Sequence, residues 1–438
     1  MSATRDDRVL VTGTRLPVGL ELVRKLGRTG RHVVATDSFA NAPGMHSRYA
    51  AEHEVTHSPR DESERFVEDI ATIARERGVA RVILTFEEVF YLARRRHRIG
   101  AELFAPSAHT LERLHNKASF IALARELDLP VPKTRLAKTR GQLARAIAEL
   151  GPYFARPVYT RGGVTLLTNR GPLADETDPT EVEPTRQNPF LVQPFVEGRD
   201  VCSVSICHHG RITGHVSYAH PLTLEHAGGI TFESLNLPET LEIAQRIAEA
   251  TNYHGFLSLD YLETERGLSL VECNPRPTSG IALMPDALFD RALTGEVRAP
   301  LVAPARTRRQ MSLALLRNIV VHPGEAPSNV RALFTSGADF YFDAHDPLPV
   351  LFQVLAYARV RDYRRRHGGT AHRYDLMQGY FEDLTYDGAP STRGAPSIAA
   401  LSESRRPTVR AAPARGASRA LASAPHEPPR ARDPWPSG

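Results

Sequence analysis

Asp260, Glu272 and Asn274 have the types and spacing to do chemistry. They lie in two apolar, alternating runs, Gly255-Phe256-Leu257-Ser258-Leu259-Asp260-Tyr261-Leu262 and Leu268-Ser269-Leu270-Val271-Glu272-Cys273-Asn274, on either side of Glu263-Thr264-Glu265-Arg266-Gly267. The pattern predicts a β-hairpin whose turn Gly267 supplies. Side chains alternate along a strand, so Glu272 and Asn274 share a face. A hairpin symmetric about Arg266 sets Asp260 opposite Glu272. Two carboxylates that close raise each other's pKa unless a cation lies between them. An oxygen-only ligand set of this kind suits Mg²⁺ that is shared with phosphates. The plain alternative is an acidic hairpin face in water. Pro275-Arg276, directly after the second strand, favours a site, because it adds a fixed cation for an anionic ligand.

Other stretches carry cations and exposed backbone. Lys117 follows His115-Asn116 inside a helical pattern from Thr110 to Leu127 that Pro130 and Pro132 end. The strand Tyr153 to Tyr159 contains Arg156 and runs into Thr160-Arg161-Gly162-Gly163, a turn whose backbone N–H groups can fold over phosphates. In Phe190-Leu191-Val192-Gln193-Pro194-Phe195-Val196-Glu197-Gly198-Arg199-Asp200 a strand stops at Pro194 and bends at Gly198 before a new one runs Val201 to Cys207. Such a link offers backbone N–H and C=O groups to a flat base, with Asp200 in reach of a ribose.

The elements that must position these residues read as α/β and then α+β. Arg8 to Gly13, His32 to Asp37, Arg81 to Thr85 and Leu103 to Ala105 read as strands alternating with helices over Val18–Leu26, 64–77 and 87–96. That is a small, mostly parallel, Rossmann-like domain. Its Thr12-Gly13-Thr14-Arg15-Leu16-Pro17-Val18-Gly19 loop has the wrong spacing for Gly-x-Gly-x-x-Gly, and Pro17 stands where a close-approach glycine belongs. Arg94, Arg95, Arg96 and Arg98 read as a solvated helix face. From Ala287 to Tyr386 a further αβ segment carries no chemistry signature and includes a helix over 348–366.

The 438 residues allow two or three domains. No apolar run is long enough for a membrane helix, and the first eight residues have no signal-peptide pattern. Cys202, Cys207 and Cys273 are too few and too scattered for a disulfide framework or a zinc site, so a cytoplasmic setting is expected. The net charge of +5 points less to nucleic acid than its size suggests. Eight arginines against Glu403, Glu427 and Asp433 put all of it in residues 388–438, a Pro-, Ala-, Arg- and Ser-rich tail that holds Trp435 and is expected to be disordered.

Together these pieces resemble the ATP-grasp superfamily of carboxylate–amine ligases, of the carbamoyl-phosphate-synthetase-like type, from about Arg8 to Met284. The motifs stand in that family's order, and Glu272-Cys273-Asn274-Pro275-Arg276 after a paired Asp260 is the most specific of them. The resemblance implies a Rossmann-like pre-ATP-grasp domain in residues 1–105, an ATP-grasp domain with antiparallel sheets in 106–290, an αβ extension in 291–387 and the tail. It implies that Lys117 and Arg156 contact ATP phosphates, and that Arg161, Gly162 and Gly163 form the loop over the triphosphate. Gln193 with the backbone of Phe195 and Val196 would hold adenine, and Asp200 the ribose. Asp260, Glu272 and Asn274 would hold Mg²⁺ or Mn²⁺, and Arg276 would meet the acyl phosphate or substrate carboxylate. Arg156 stands where many members have Lys, Pro194 where an acid is common, and Asp200 where Glu is commoner. The implied activity is ADP-forming ligation of a carboxylate to an amine through an acyl phosphate. The implied partners are those small molecules, with no membrane and no specific nucleic acid, and a homodimer is among the expected assemblies. A non-catalytic ATP-binding module is the alternative, and an NAD(P)-dependent reductase a weaker one.

Overall fold

The computed structural model describes residues 8–160, 165–224, 228–366 (the side chains of 224, 363, 364 and 366 aside) and 380–386. The loop tip Arg161, Gly162 and Gly163, the tail and Trp435 lie outside the described residues.

The parallel sheet is built first. It comprises β1 (Arg8–Val11), β2 (His32–Asp37), β3 (Glu52–Val55), β4 (Arg81–Ile83) and β5 (Glu102–Leu103), interleaved with α1 (Pro17–Arg28), α2 (Ser63–Glu76) and α3 (Val89–Ala93). The strand order is β3-β2-β1-β4-β5, all parallel. β1 and β2 are almost continuously apolar because helices cover both faces of such a sheet. Pro17 opens α1 at a position where no N–H is needed.

Here the structure refines one expectation. Arg94 and Arg96 are half-buried and held within the fold, whereas Arg98 stays exposed. Arg94 pairs with Glu112, Arg98 with Glu64, and Arg96 caps the carbonyls of Leu103, Ala105 and Pro106 at 2.6–3.0 Å. The 12–19 loop, whose spacing already disfavours a dinucleotide, is closed by the chain itself. Asp37 is buried and accepts from Arg15 N at 2.8 Å, Arg15 Nε at 2.8 Å and Phe39 N at 2.9 Å, so it has no oxygen to offer a ribose. The crevice at the carboxyl ends of β1 and β4, where such a cofactor would lie, is filled by residues 380–386. Tyr380 donates to Arg15 O, Asp383 pairs with Arg15, and Tyr386 N donates to Glu87.

Next come α4 (Ala108–His115) and α5 (Lys117–Glu126). The expected single helix is two, broken at Asn116, whose side chain caps α5 by accepting from Ala118 N and Ser119 N. A four-stranded antiparallel sheet follows, ordered β6-β9-β7-β8, from β6 (Arg135–Ala137), β7 (Tyr153–Pro157), β8 (Leu167–Thr168) and β9 (Phe190–Pro194), with α6 (Arg140–Leu150).

The large sheet uses β10 (Arg199–His208), β11 (Arg211–Ala219), β14 (Thr231–Leu235), β15 (Gly255–Thr264) and β16 (Gly267–Asn274), with a small ribbon of β12 (Thr223–Leu224) and β13 (Gly228–Gly229) beside it. α7 (Pro238–Thr251) and α8 (Asp286–Thr294) pack on its two faces. Past residue 290, β17 (Leu301–Val302), β18 (Arg308–Gln310) and β19 (Ala338–Asp339) extend this same sheet. The helices α9 (Ser312–Val321), α10 (Ala326–Thr335) and α11 (Leu348–Arg366) complete the described chain apart from the 380–386 segment.

One polar group inside this sheet makes stability depend on pH. His215 is fully buried, with its ring nitrogens 2.9 Å from Ser205 Oγ and Thr240 Oγ1. Burial holds its pKa down at about 3. The unfolded chain, with an ordinary histidine, binds the extra proton at higher pH. Stability therefore falls as pH drops below about 6.5, by up to about 1.4 kcal/mol per pH unit from this residue. Urea unfolding between about pH 6.5 and 5 should show that slope together with those of His208 and His220, which burial also holds down at about 4, and His215→Gln should remove its own share.

Candidate active site

The hairpin places the acids, by a route the sequence pattern does not reveal. The turn is tighter than expected: β15 runs to Thr264 and β16 starts at Gly267, whose φ of +103° suits glycine. Pairing from this turn sets Tyr261 opposite Leu270. Continued unbroken, it would put Asp260 opposite Val271. A bulge at Val271 shifts the register by one residue, and Asp260 then faces Glu272. The bulge also turns the Val271 carbonyl toward Arg156, whose Nη2 donates to it at 3.3 Å.

Arg156 projects from β7 of the smaller sheet. Its Nη1 donates to Glu272 Oε2 at 2.6 Å. Lys117, the first residue of α5 and buried, sends Nζ to within 3.6 Å of the same oxygen and donates to Thr160 O at 3.0 Å. The Asn116 cap fixes where α5 begins, and thereby where Lys117 stands. Its amide nitrogen also donates to Tyr159 Oη at 2.8 Å. Asn274 Nδ2 donates to Asp260 Oδ2 at 2.9 Å, and Arg276 Nη2 to Asn274 Oδ1 at 3.3 Å. Six expected site residues, Lys117, Arg156, Asp260, Glu272, Asn274 and Arg276, thus form one continuous charged group. Gln193, Phe195, Val196 and Asp200 lie along the β9–β10 link. Gln193 is buried and donates to Thr134 Oγ1, Phe195 N donates to Pro152 O, and Asp200 is exposed opposite Leu262.

The two carboxylates have opposite electrostatics. Burial, and then the charge of Glu272, push Asp260 above the usual carboxylate range. Burial acts the same way on Glu272, but Lys117 and Arg156 outweigh it and hold Glu272 low. One acid is kept charged by two cations, while for its neighbour the charges of Arg276 and Arg156 do not offset burial and Glu272. Burial lowers the Arg276 pKa, and its guanidinium lies 4.2 Å over the Phe86 ring.

The donor set fits a small hard cation. Among the described residues no cluster of three His, Cys, Asp or Glu could hold a metal. The two facing carboxylates and an amide oxygen form a partial, oxygen-only shell. Mg²⁺ accepts such a shell when phosphates and water complete it, and a cation here would relieve the strained charge on Asp260.

Sequence reasoning missed neighbours on the same face. Cys202 and Tyr218 continue the row of Asp260 and Glu272 across the sheet. Tyr218 Oη donates to Thr278 Oγ1 at 2.9 Å, and Thr278 Oγ1 lies 3.1 Å from Ser258 Oγ. Phe86 and Glu87 approach Arg276 from the end of β4. Their position after a parallel strand was the available signal, since ligands gather at those carboxyl ends.

No family model matches the chain. Over 261 residues, 56% of the chain, it is 24% identical to the carbamoyl phosphate synthase large chain of Deinococcus radiodurans. It spans 25% of the length of that relative. Among solved structures it is similar to the biotin carboxylase domain of the Hydrogenobacter thermophilus 2-oxoglutarate carboxylase, solved with MgADP, ADP and bicarbonate. That likeness has a TM-score of 0.52 at 15% identity over 68% of this chain and 72% of the other. The N5-carboxyaminoimidazole synthetase of Staphylococcus aureus, solved with ADP, gives a TM-score of 0.53 at 14% identity over 72% and 86%.

Proposed function

We propose that this chain, which has the ATP-grasp fold, is an ATP- and Mg²⁺-dependent ligase that activates a carboxylate as its acyl phosphate and passes it to an amine or similar nucleophile. The observation that carries this reading is the convergence of Lys117 and Arg156 on Glu272, directly across the hairpin from Asp260. Two cations and two acids in that order are what a metal–triphosphate needs on its two sides. The relatives support it: one is named a carbamoyl phosphate synthase, and two were solved with ADP.

In this reading Lys117 and Arg156 exchange Glu272 for the phosphates when nucleotide binds. Asp260, Glu272 and Asn274 hold Mg²⁺, which when bound neutralises and polarises the phosphoryl oxygens. Arg276 orients the carboxylate that attacks the γ-phosphate. Phosphoryl transfer asks mainly for positioning and charge neutralisation, so no side-chain nucleophile is required. To Arg161, Gly162 and Gly163, which lie outside the described residues, this reading gives the task of keeping water from the acyl phosphate. Gln193 and the Phe195–Val196 backbone take adenine. The Phe195 N–H is already bonded to Pro152 O, which leaves its carbonyl and the Val196 N–H for the base. Asp200 takes the ribose. Residues 106–290 carry the nucleotide site, while residues 1–105 and the 291–387 extension shape the acceptor side. The three free cysteines fit a cytoplasmic setting, and no described helix is long and apolar enough to cross a membrane.

The test is ADP release from MgATP with a panel of carboxylates, bicarbonate included, trapping activated acid with hydroxylamine as hydroxamate. ATP binding without ADP from any acid would favour the binding-module alternative. Arg156→Lys should keep activity within about tenfold, since charge remains but the two-pronged grip is lost. Arg156→Met should lose about a hundredfold or more.

A further inference from the structure

We infer that the outer face of the α9–α10–α11 layer is a homodimer interface, occupied by a second copy of this chain. Twelve of the fifteen large apolar residues exposed among the described residues lie between Leu313 and Tyr357. α9 packs against α10, α11 packs on the short 43–46 turn, and Arg317 of α9 lies within electrostatic reach of Tyr357 of α11.

The inner faces of these helices are already satisfied. Leu315 and Ala332 close around Ile230. Ala356 and Val360 are buried in the main core, and Phe352 stacks on His46 at 3.4 Å. Each helix nevertheless repeats an apolar stripe on its outer side: Leu316 and Val320 on α9, Val330 and Phe334 on α10, Leu351 and Leu355 on α11. Val320 is 80% exposed, Phe334 85% and Leu351 57%. A helix with apolar stripes on two faces is patterned to be covered on both.

The area points to a stable protein partner. With roughly 150–200 Å² for a whole side chain of this size, these six residues alone leave roughly 600 Å² of apolar surface in water. That is the upper end of the largest patch on an ordinary monomer, about 300–600 Å². With the other six it reaches the roughly 800 Å² that each partner contributes to a standard interface.

Charge favours a second copy in two-fold pairing. α11 is apolar through its first half and basic in its second, with Arg359, Arg361 and Arg365 exposed. Two copies meeting antiparallel bring the apolar halves together and carry the basic ends apart, as a self-complementary interface requires. The chain's own tail is a poor match. Residues 388–438 hold only Ile398, Leu401, Val409, Leu421 and Trp435 as large apolar residues, at spacings that make no stripe.

Sedimentation velocity of the full chain over about a hundredfold range of concentration tests this. A dimer is expected. Val320→Glu with Phe334→Glu, both at exposed positions, should weaken self-association at least about tenfold with unchanged far-UV circular dichroism. A chain that stays monomeric throughout overturns the inference, as does a dimer indifferent to the two new charges. So does dimerisation that appears only when residues 388–438 are removed, which would make the tail the occupant.

Discussion

Replacing Glu272 by alanine is expected to lower ADP formation by about a thousandfold or more, the largest catalytic effect of any single change in this chain. The expectation follows from two roles for one carboxylate. Glu272 is the proposed metal ligand whose charge is secured, because Lys117 and Arg156 hold it ionised against the effect of burial. It is also the partner that keeps those two cations in place before nucleotide arrives. Alanine removes both, and leaves two neighbouring cations unneutralised in a mostly buried setting at a cost of about 1–3 kcal/mol. Glu272→Gln separates the roles. It removes the same charge but can still accept the Arg156 hydrogen bond, so its urea midpoint should fall less than that of the alanine variant, while ADP formation falls nearly as far. Full ADP formation in Glu272→Gln would falsify the metal assignment.

The largest loss of stability is expected from Asp383→Ala, far from the hairpin. Arg15 is fully buried, with its guanidinium between Asp37 and Asp383 and over the Phe39 ring at 3.6 Å. Asp383 accepts from Arg15 Nη1 at 2.7 Å and Nη2 at 3.1 Å, and also bonds Ser38. Removing Asp383 leaves Arg15 paired with Asp37 but takes the acceptor from two of its buried N–H groups, at about 1–3 kcal/mol each. The same change releases the 380–386 segment from the parallel sheet, where Leu384 and Tyr386 are buried. Urea unfolding should show the whole loss. A change below about 1 kcal/mol would mean that Arg15 finds another acceptor.

The segment around Asp383 marks where local pattern stops being informative. Nothing in Phe381-Glu382-Asp383-Leu384 indicates that it packs at the strand ends of a sheet more than 360 residues earlier in the chain, because the pairing depends on the part of the Arg15 guanidinium that Asp37 leaves for a second acid. The parallel sheet itself was legible, since β1 and β2 are apolar runs of strand length and α1 has its proline and stripe. The 110–127 region was legible as helix but not as two helices. Asn116 competes for backbone N–H groups, and whether it caps or sits within a helix is decided by Tyr159, which engages its amide from another element.

The residues of the proposed metal site divide in the same way. By itself the sequence determined that Glu272 and Asn274 share a face, since period two is a property of any strand, and that Arg276 follows them as a fixed cation. Only the tertiary structure decided that Asp260 faces Glu272. The two-residue turn sets the wrong register for that pair, and the bulge at Val271 corrects it. Only tertiary structure, too, brings Lys117 from a helix and Arg156 from a second sheet onto one carboxylate oxygen. Periodicity is written in neighbours a few residues apart. The convergence of charges from three elements depends on how those elements pack, and packing is settled by the whole core.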